Sequence, residues 1–311
     1  IDSGWFTDFG TGAPRNSWWD MAGNWEENKE RFTHGLSFVA QEISKRGMLP
    51  GIWCEIEAVG KYAPAYLDKD MVMTRDGFFV EDAGRHFLNF SSSKTQKFAD
   101  DTFEKLIADG FRYFKIDYNI DSAPGCNNDG EESLGQGLHR HRMEYYHWLA
   151  ALRQRHPEVI FENCSSGGMR LEYGMLSISD LASVTDQGDY RLTGGILYHV
   201  SKLVHPSQCG MWSWLLDDLT PQQYSFILTN SMMGRMHISG NVVKHPEENQ
   251  NVLKSAVAFY KQYRHILHHA RVMYHTEDFH YYDNDTIRAY ELRSSDNKEA
   301  VISVARPKGE Q

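Results

Sequence analysis

Apolar residues along this chain come in two rhythms. Short dense clusters alternate with longer stretches in which apolar positions recur every three or four residues. The clusters predict strands at 48–55, 86–90, 112–117, 158–163, 182–186, 207–212 and 235–239, with a stub at 1–5. The stretches between them predict helices. Residues 28–46 carry Phe32, Leu36, Val39 and Ile43, residues 94–109 carry Phe98, Phe103 and Leu106, and residues 133–155 carry Leu134, Leu138, Tyr145, Leu149 and Leu152. Helical spacing returns at 193–204, 220–231 and 246–268. Strands that alternate with helices imply parallel pairing, and about eight such units close a (β/α)8 TIM barrel. The fold class expected is therefore α/β, with the barrel over 1–269. Past residue 270 the rhythm turns to short alternating runs around Asp283-Asn284-Asp285, which predict the beginning of a C-terminal antiparallel β-domain over 270–311.

Composition narrows the partners. The formal net charge is -10 and no basic stripe is present, which argues against nucleic acid. No apolar run approaches the roughly 18 residues of a membrane helix. Aromatic residues are 13% of the chain, a share that suits stacking on sugars and equally suits a large core. Cys54, Cys126, Cys164 and Cys209 lack metal-knuckle spacing and are too scattered for a disulfide framework, which favours a reducing, cytoplasmic compartment. His139 and His141 lie two apart on a predicted helix and so do not share a face. The cluster His265, His268 and His269 lacks acidic partners in its segment. No metal and no cofactor are expected.

The candidate chemistry sits at predicted strand ends. Asp117 closes Phe111-Arg112-Tyr113-Phe114-Lys115-Ile116-Asp117, and strand alternation points Lys115 the same way, so a cation stands near a carboxylate. Asp186 closes a second cluster, with Asp189 three residues on. Asp186 would act as an acid catalyst or, more plainly, cap the helix at 193–204. Between them Cys164-Ser165-Ser166-Gly167-Gly168 follows a strand, and small residues there let backbone approach a ligand. Trp53 and Glu55 end another strand, as a sugar platform and a hydroxyl acceptor or as a core Trp with a surface acid. Two carboxylates at strand ends around a glycine-rich turn suit acid/base and nucleophilic work on a glycoside.

Taken in order, Asp2-x-Gly4-Trp5-Phe6, Gly51-Ile52-Trp53-x-Glu55-x-Glu57, Lys115-x-Asp117-x-Asn119, Cys164-x-Ser166-Gly167-Gly168 and Asp186-x-x-Asp189 resemble glycoside hydrolase family 36, the α-galactosidase family. The resemblance implies a retaining mechanism with Asp117 as nucleophile and Asp186 as acid/base. It implies a sugar pocket drawn from Asp2, Trp5, Trp53, Glu55, Lys115, Asn119, Cys164, Ser166, Gly167 and Asp189. It also implies an α-galactoside oligosaccharide or glycoconjugate as partner. The N-terminal β-domain usual in that family is missing from this sequence, so the chain reads as a piece of a longer protein, and homo-oligomer formation stays open.

The sequence departs from the family at three places. Ser3 stands where many members have a second aspartate, and Ile116 and Ile120 stand where many have Trp and Arg. These changes touch sugar recognition and leave the carboxylate pair. Alternatives are therefore an α-N-acetylgalactosaminidase, galactosyl transfer on the same barrel, or a degenerate barrel that only binds carbohydrate.

Overall fold

The computed structural model describes residues 1–6, 18–280, 282–283 and 285–306. The chain forms two compact units, Ile1–Ser165 with Tyr173–Asp180, and Ser166–Glu172 with Leu181–Gln311.

The first unit begins with α1 (Trp18–Met21) and α2 (Leu36–Ser44), which lead to β1 (Gly51–Cys54). A run of short strands follows: β2 (Ala58–Gly60), β3 (Thr74–Arg75), β4 (Phe78–Phe79), β5 (Glu81–Asp82) and β6 (Arg85–Phe87). The chain returns through α3 (Ser93–Ala108) to β7 (Tyr113–Ile116), then through α4 (Leu134–Arg155) to β8 (Ile160–Asn163), and α5 (Tyr173–Ile178) completes the unit. Strand β7 lies parallel between β1 and β8, and the register sets Trp53, Lys115 and Glu162 side by side. Serine caps start both long helices: Ser92 Oγ accepts from Thr95 N, and Ser133 Oγ accepts from Gln136 N. Apolar faces of α3 and α4, with Phe103, Leu106, Tyr145, Trp148 and Leu149, bury against Phe114 and Phe161 of the strands.

Three expectations need correction here. The run 86–90 does not join the parallel set, because β6 pairs antiparallel with both β2 and β5. Phe87 and Leu88 fill small separate cores, Phe87 with Met73 and Tyr118, and Leu88 with Val59 and Met71, while Phe90 joins the main core. The stub at 1–5 is a turn, with Gly4 at φ +86°, although Ile1 O still accepts from Trp53 N at 3.0 Å. The helix expected over 28–46 starts only at Leu36. Gly35, at φ +81°, breaks the run, and Glu27 Oε2 takes the Leu36 N–H at 2.7 Å in place of an ordinary cap.

The second unit holds β9 (Leu181–Ser183), α6 (Tyr190–Val200), β10 (Cys209–Trp214), α7 (Pro221–Ser231), β11 (Arg235–Ser239) and α8 (Glu247–Tyr263). Strand β10 lies parallel between β9 and β11. Helix α7 opens with Pro221 after a reciprocal capping box between Thr220 and Gln223. Then β12 (Arg271–Tyr274), β13 (Arg288–Arg293) and β14 (Ala300–Ala305) form an antiparallel sheet with β13 in the middle. In both units parallel strands alternate with helices, the pattern of an α/β barrel, and the antiparallel strands follow it. Among the described residues, no helix is long and apolar enough to cross a membrane.

Candidate active site

Asp117 is the first residue beyond β7, and its N–H continues the ladder to Cys54 O at 2.8 Å. The side chain is 6% exposed. Its Oδ2 accepts from Trp53 Nε1 at 3.0 Å and its Oδ1 from Tyr118 N at 2.9 Å. The two donors fix the direction of the carboxylate, and a hydrogen bond to a charged group is worth about 1.5–3 kcal/mol. Trp53 is itself buried and packed on several sides. Its ring stacks on Phe6 at 6.0 Å and meets Trp18 edge-on at 5.7 Å, and its carbonyl accepts from Trp5 Nε1 at 2.7 Å. Trp5 and Trp53 both lie in the core, and of the two Trp53 reaches Asp117 directly.

Glu55 follows β1 and is completely buried. Arg85 Nη1 and Nη2 donate to its two oxygens at 2.7 Å each, a bidentate pair, and Asn119 N donates to Oε1 at 2.7 Å. The Arg85 guanidinium lies 3.6 Å over the Trp19 ring, and Trp19 Nε1 is tied to Ala83 O. Burial pushes the Glu55 pKa up and the Asp117 charge adds to the rise, while Arg85 and Asn119 pull the other way. Glu55 thus spends its oxygens inside the protein, on the backbone two residues past Asp117. Glu57 is likewise buried, with His141 Nε2 at 3.2 Å, and His141 Nδ1 accepts from Phe90 N.

Lys115, one place before Ile116 on the same strand, has its ammonium 3.7 Å from Asp2 Oδ2. Burial disfavours the charge, but the Cys164 sulfur and the Asp2, Asp117 and Glu162 carboxylates outweigh it and raise the Lys115 pKa. Cys164, fully buried, continues the β8 ladder to Ile116 O, and Ser165 Oγ donates to Tyr118 O at 2.7 Å.

In the second unit Ser166 and Gly167 adopt left-handed backbone, at φ +42° and +82°. Gly167 forms a bridge with Thr185, and a Cβ there would lie 2.6 Å from Asp186 N. The turn therefore needs glycine at that point. Asp186 is exposed, directly after Thr185, whose Oγ1 accepts from Gln187 N. The helix cap expected of Asp186 falls to Asp189, which precedes α6 and whose Oδ1 accepts from Arg191 N at 3.0 Å. Arg191 also grips the Asp189 carboxylate at 2.6 Å and holds its pKa below the usual range. Its charge is thus partly cancelled before it can act on Asp186.

The structure brings Asp2, Trp5, Trp53, Glu55, Lys115, Asp117, Asn119 and Cys164 together in the first unit, and Ser166, Gly167, Asp186 and Asp189 in the second. Sequence reasoning missed Arg85, Trp19, Tyr113 and Glu162. Glu162 was legible by alternation, since it shares a level with Lys115, but Arg85 is 30 residues from its partner and carries no local signal. His265 does find an acid, Glu299 at 2.7 Å, from outside its own segment. Among the described residues no group of three His, Cys, Asp or Glu side chains could hold a metal ion.

Comparison with known proteins fits this geometry. The Melibiase family profile matches residues 1–270. The α-galactosidase AgaA of Geobacillus stearothermophilus is 25% identical over 278 residues, covering 86% of this chain and 37% of AgaA. The α-galactosidase Mel36A of Lactobacillus acidophilus is 25% identical over 279 residues, covering 86% of this chain and 36% of Mel36A. The chain thus spans just over a third of these relatives. A crystal structure of an AgaA variant in complex with stachyose superposes with a TM-score of 0.84 at 21% identity, over 97% of this chain and 42% of that one, which shows a shared fold. The chain belongs to the Melibiase family, the α-galactosidase-like barrels of glycoside hydrolase family 36.

Proposed function

We propose that this chain is the catalytic part of a retaining glycoside hydrolase that removes terminal α-galactosyl residues. The observation that carries the proposal is Asp117 itself: a nearly buried carboxylate at a strand end, aimed by Trp53 Nε1 and its neighbour's N–H, with a lysine two residues earlier on the strand. A carboxylate oriented by fixed donors is what nucleophilic attack on an anomeric carbon requires. Residues 1–269 would supply the barrel and 270–311 the start of the β-domain. The substrate would be an α-galactoside oligosaccharide or glycoconjugate, in line with the stachyose held by the AgaA variant.

Asp117 attacks the anomeric carbon while Asp186 gives its proton to the leaving oxygen. The C–O bond to the aglycone breaks and a galactosyl ester of Asp117 forms. Water, deprotonated by Asp186, then attacks the same carbon, releasing the sugar with its α configuration and freeing Asp117. Exposure of Asp186 suits a group that must meet the departing aglycone in one half of the cycle and the incoming water in the other.

The test is release of aryl alcohol from α-galactoside, α-N-acetylgalactosaminide, α-glucoside and β-galactoside. Turnover of the α-galactoside, with α-galactose as first product by NMR, is expected. Turnover of only the N-acetylated sugar would transfer the proposal to that substrate. Asp117→Ala should lose at least about 10³-fold in kcat while keeping its melting temperature. A folded Asp117→Ala protein with near-normal turnover would remove Asp117 from the mechanism.

A further inference from the structure

One charged group in the row Trp53, Lys115, Glu162 has no part in the steps above. Glu162 is 3% exposed on β8, in register with Lys115 on β7. Tyr113, two residues before Lys115 on the same strand face, donates its hydroxyl to Glu162 Oε2. On its other side the Lys115 ammonium reaches Asp2, and it feels the charge of Asp117 and the Cys164 sulfur. The Lys115 ammonium therefore stands among three carboxylates, Asp2, Asp117 and Glu162.

We propose that Glu162 is a positioning residue: it draws on the Lys115 ammonium from β8 and so sets how strongly that cation acts on Asp2 and Asp117. The kinetic consequence rests on the glycosidase function proposed above; the electrostatic one does not. Burial pushes Glu162 up to about 7, with Asp2 and Asp117 adding to the rise and the Tyr113 hydrogen bond and Lys115 charge opposing it. The titratable groups that face it are Tyr113 and Lys115 from β7, Asp117 just beyond, and Asp2 from the N-terminal turn. Below that pH Glu162 is neutral and Lys115 acts on the two aspartates. Above it Glu162 is ionised, competes for the ammonium, and adds a negative charge to the cluster.

The experiment is a pH series from 5 to 8.5 on the wild type, Glu162→Gln and Tyr113→Phe, with KM and kcat for an aryl α-galactoside and the melting temperature measured on each. In the wild type KM should rise about threefold to tenfold between pH 6 and 8, with a smaller change in kcat. Glu162→Gln should flatten that rise. Tyr113→Phe, which loses a bond that favours the ionised form, should move it to higher pH. Melting needs no turnover. A carboxyl raised in the folded state stabilises below its unfolded value, near 4.5, and that stability is lost as pH rises through about 7. The wild-type melting temperature should therefore fall between pH 5 and 7.5 relative to Glu162→Gln. A wild-type melting temperature that falls relative to Glu162→Gln as pH rises, with no turnover in any protein, would support Glu162 and sink the glycosidase proposal. Parallel melting curves and superimposable KM profiles would overturn the role of Glu162, as would a Tyr113→Phe protein in which neither the KM rise nor the melting slope moves.

Discussion

The two proposed catalytic carboxylates are held in opposite ways. Asp117 continues a strand, is almost wholly buried, and is oriented by a tryptophan locked in an aromatic core. Asp186 is exposed on a loop whose path is fixed by backbone, through the left-handed Gly167 and its bridge to Thr185. The difference matches the proposed tasks. A nucleophile must strike one atom along one line, so rigid scaffolding of its carboxylate helps. An acid/base must serve the leaving oxygen in one half of the cycle and the attacking water in the other, so access matters more than immobility.

If rigidity on the Asp117 side comes from packed and paired side chains, cutting that support should cost the most. Arg85→Met strands the Glu55 carboxylate, completely buried, without its bidentate partner. The expected loss is about 3–5 kcal/mol of folding stability, read by denaturant unfolding, and Arg85→Lys should recover part of it. A loss below about 1 kcal/mol would show that Glu55 takes up a proton at little cost and that the pair does not brace Asn119. Next in size is Trp53→Phe, which keeps the core volume approximately and deletes the Nε1 bond to Asp117. About 1.5–3 kcal/mol of orientation should go, seen as a roughly tenfold to hundredfold fall in kcat with KM little changed. An equal rise in KM would instead make Trp53 a sugar contact.

The same contrast explains what could be read from the sequence. Parallel strands were legible because buried strands are dense apolar runs, and Asp117 was legible because it ends one. The run around Phe87–Phe90 misled because burial in a small antiparallel sheet produces the same density as burial in a barrel. Lys115 and Asp117 share a strand, so alternation alone joined them. The Glu55–Arg85 pair joins β1 to β6 across the antiparallel excursion, a contact made by tertiary folding with no periodicity to betray it. Asp189 shows the limit of motif spacing. Its spacing three residues after Asp186 carries no sign that, one residue before α6, it caps a helix.

Asp189 also gives the smallest and most discriminating effect. Asp189→Ala removes the N-cap bond to Arg191 N and the ion pair with the Arg191 guanidinium. The carboxylate is partly exposed, so the ion pair adds little and the cap dominates, at about 1 kcal/mol. Because Arg191 lowers the folded pKa of Asp189, the contribution is present above the unfolded value near 4 and disappears as pH falls through the folded one. The melting temperature of wild type should therefore exceed that of Asp189→Ala at pH 7, and the gap should close toward pH 3. If the cap only anchors the loop, kcat should stay within a few-fold of wild type. A hundredfold loss of kcat with unchanged melting would mean that Asp189 acts on Asp186 or on the sugar directly, and that the exposed side of the site is organised by charge after all.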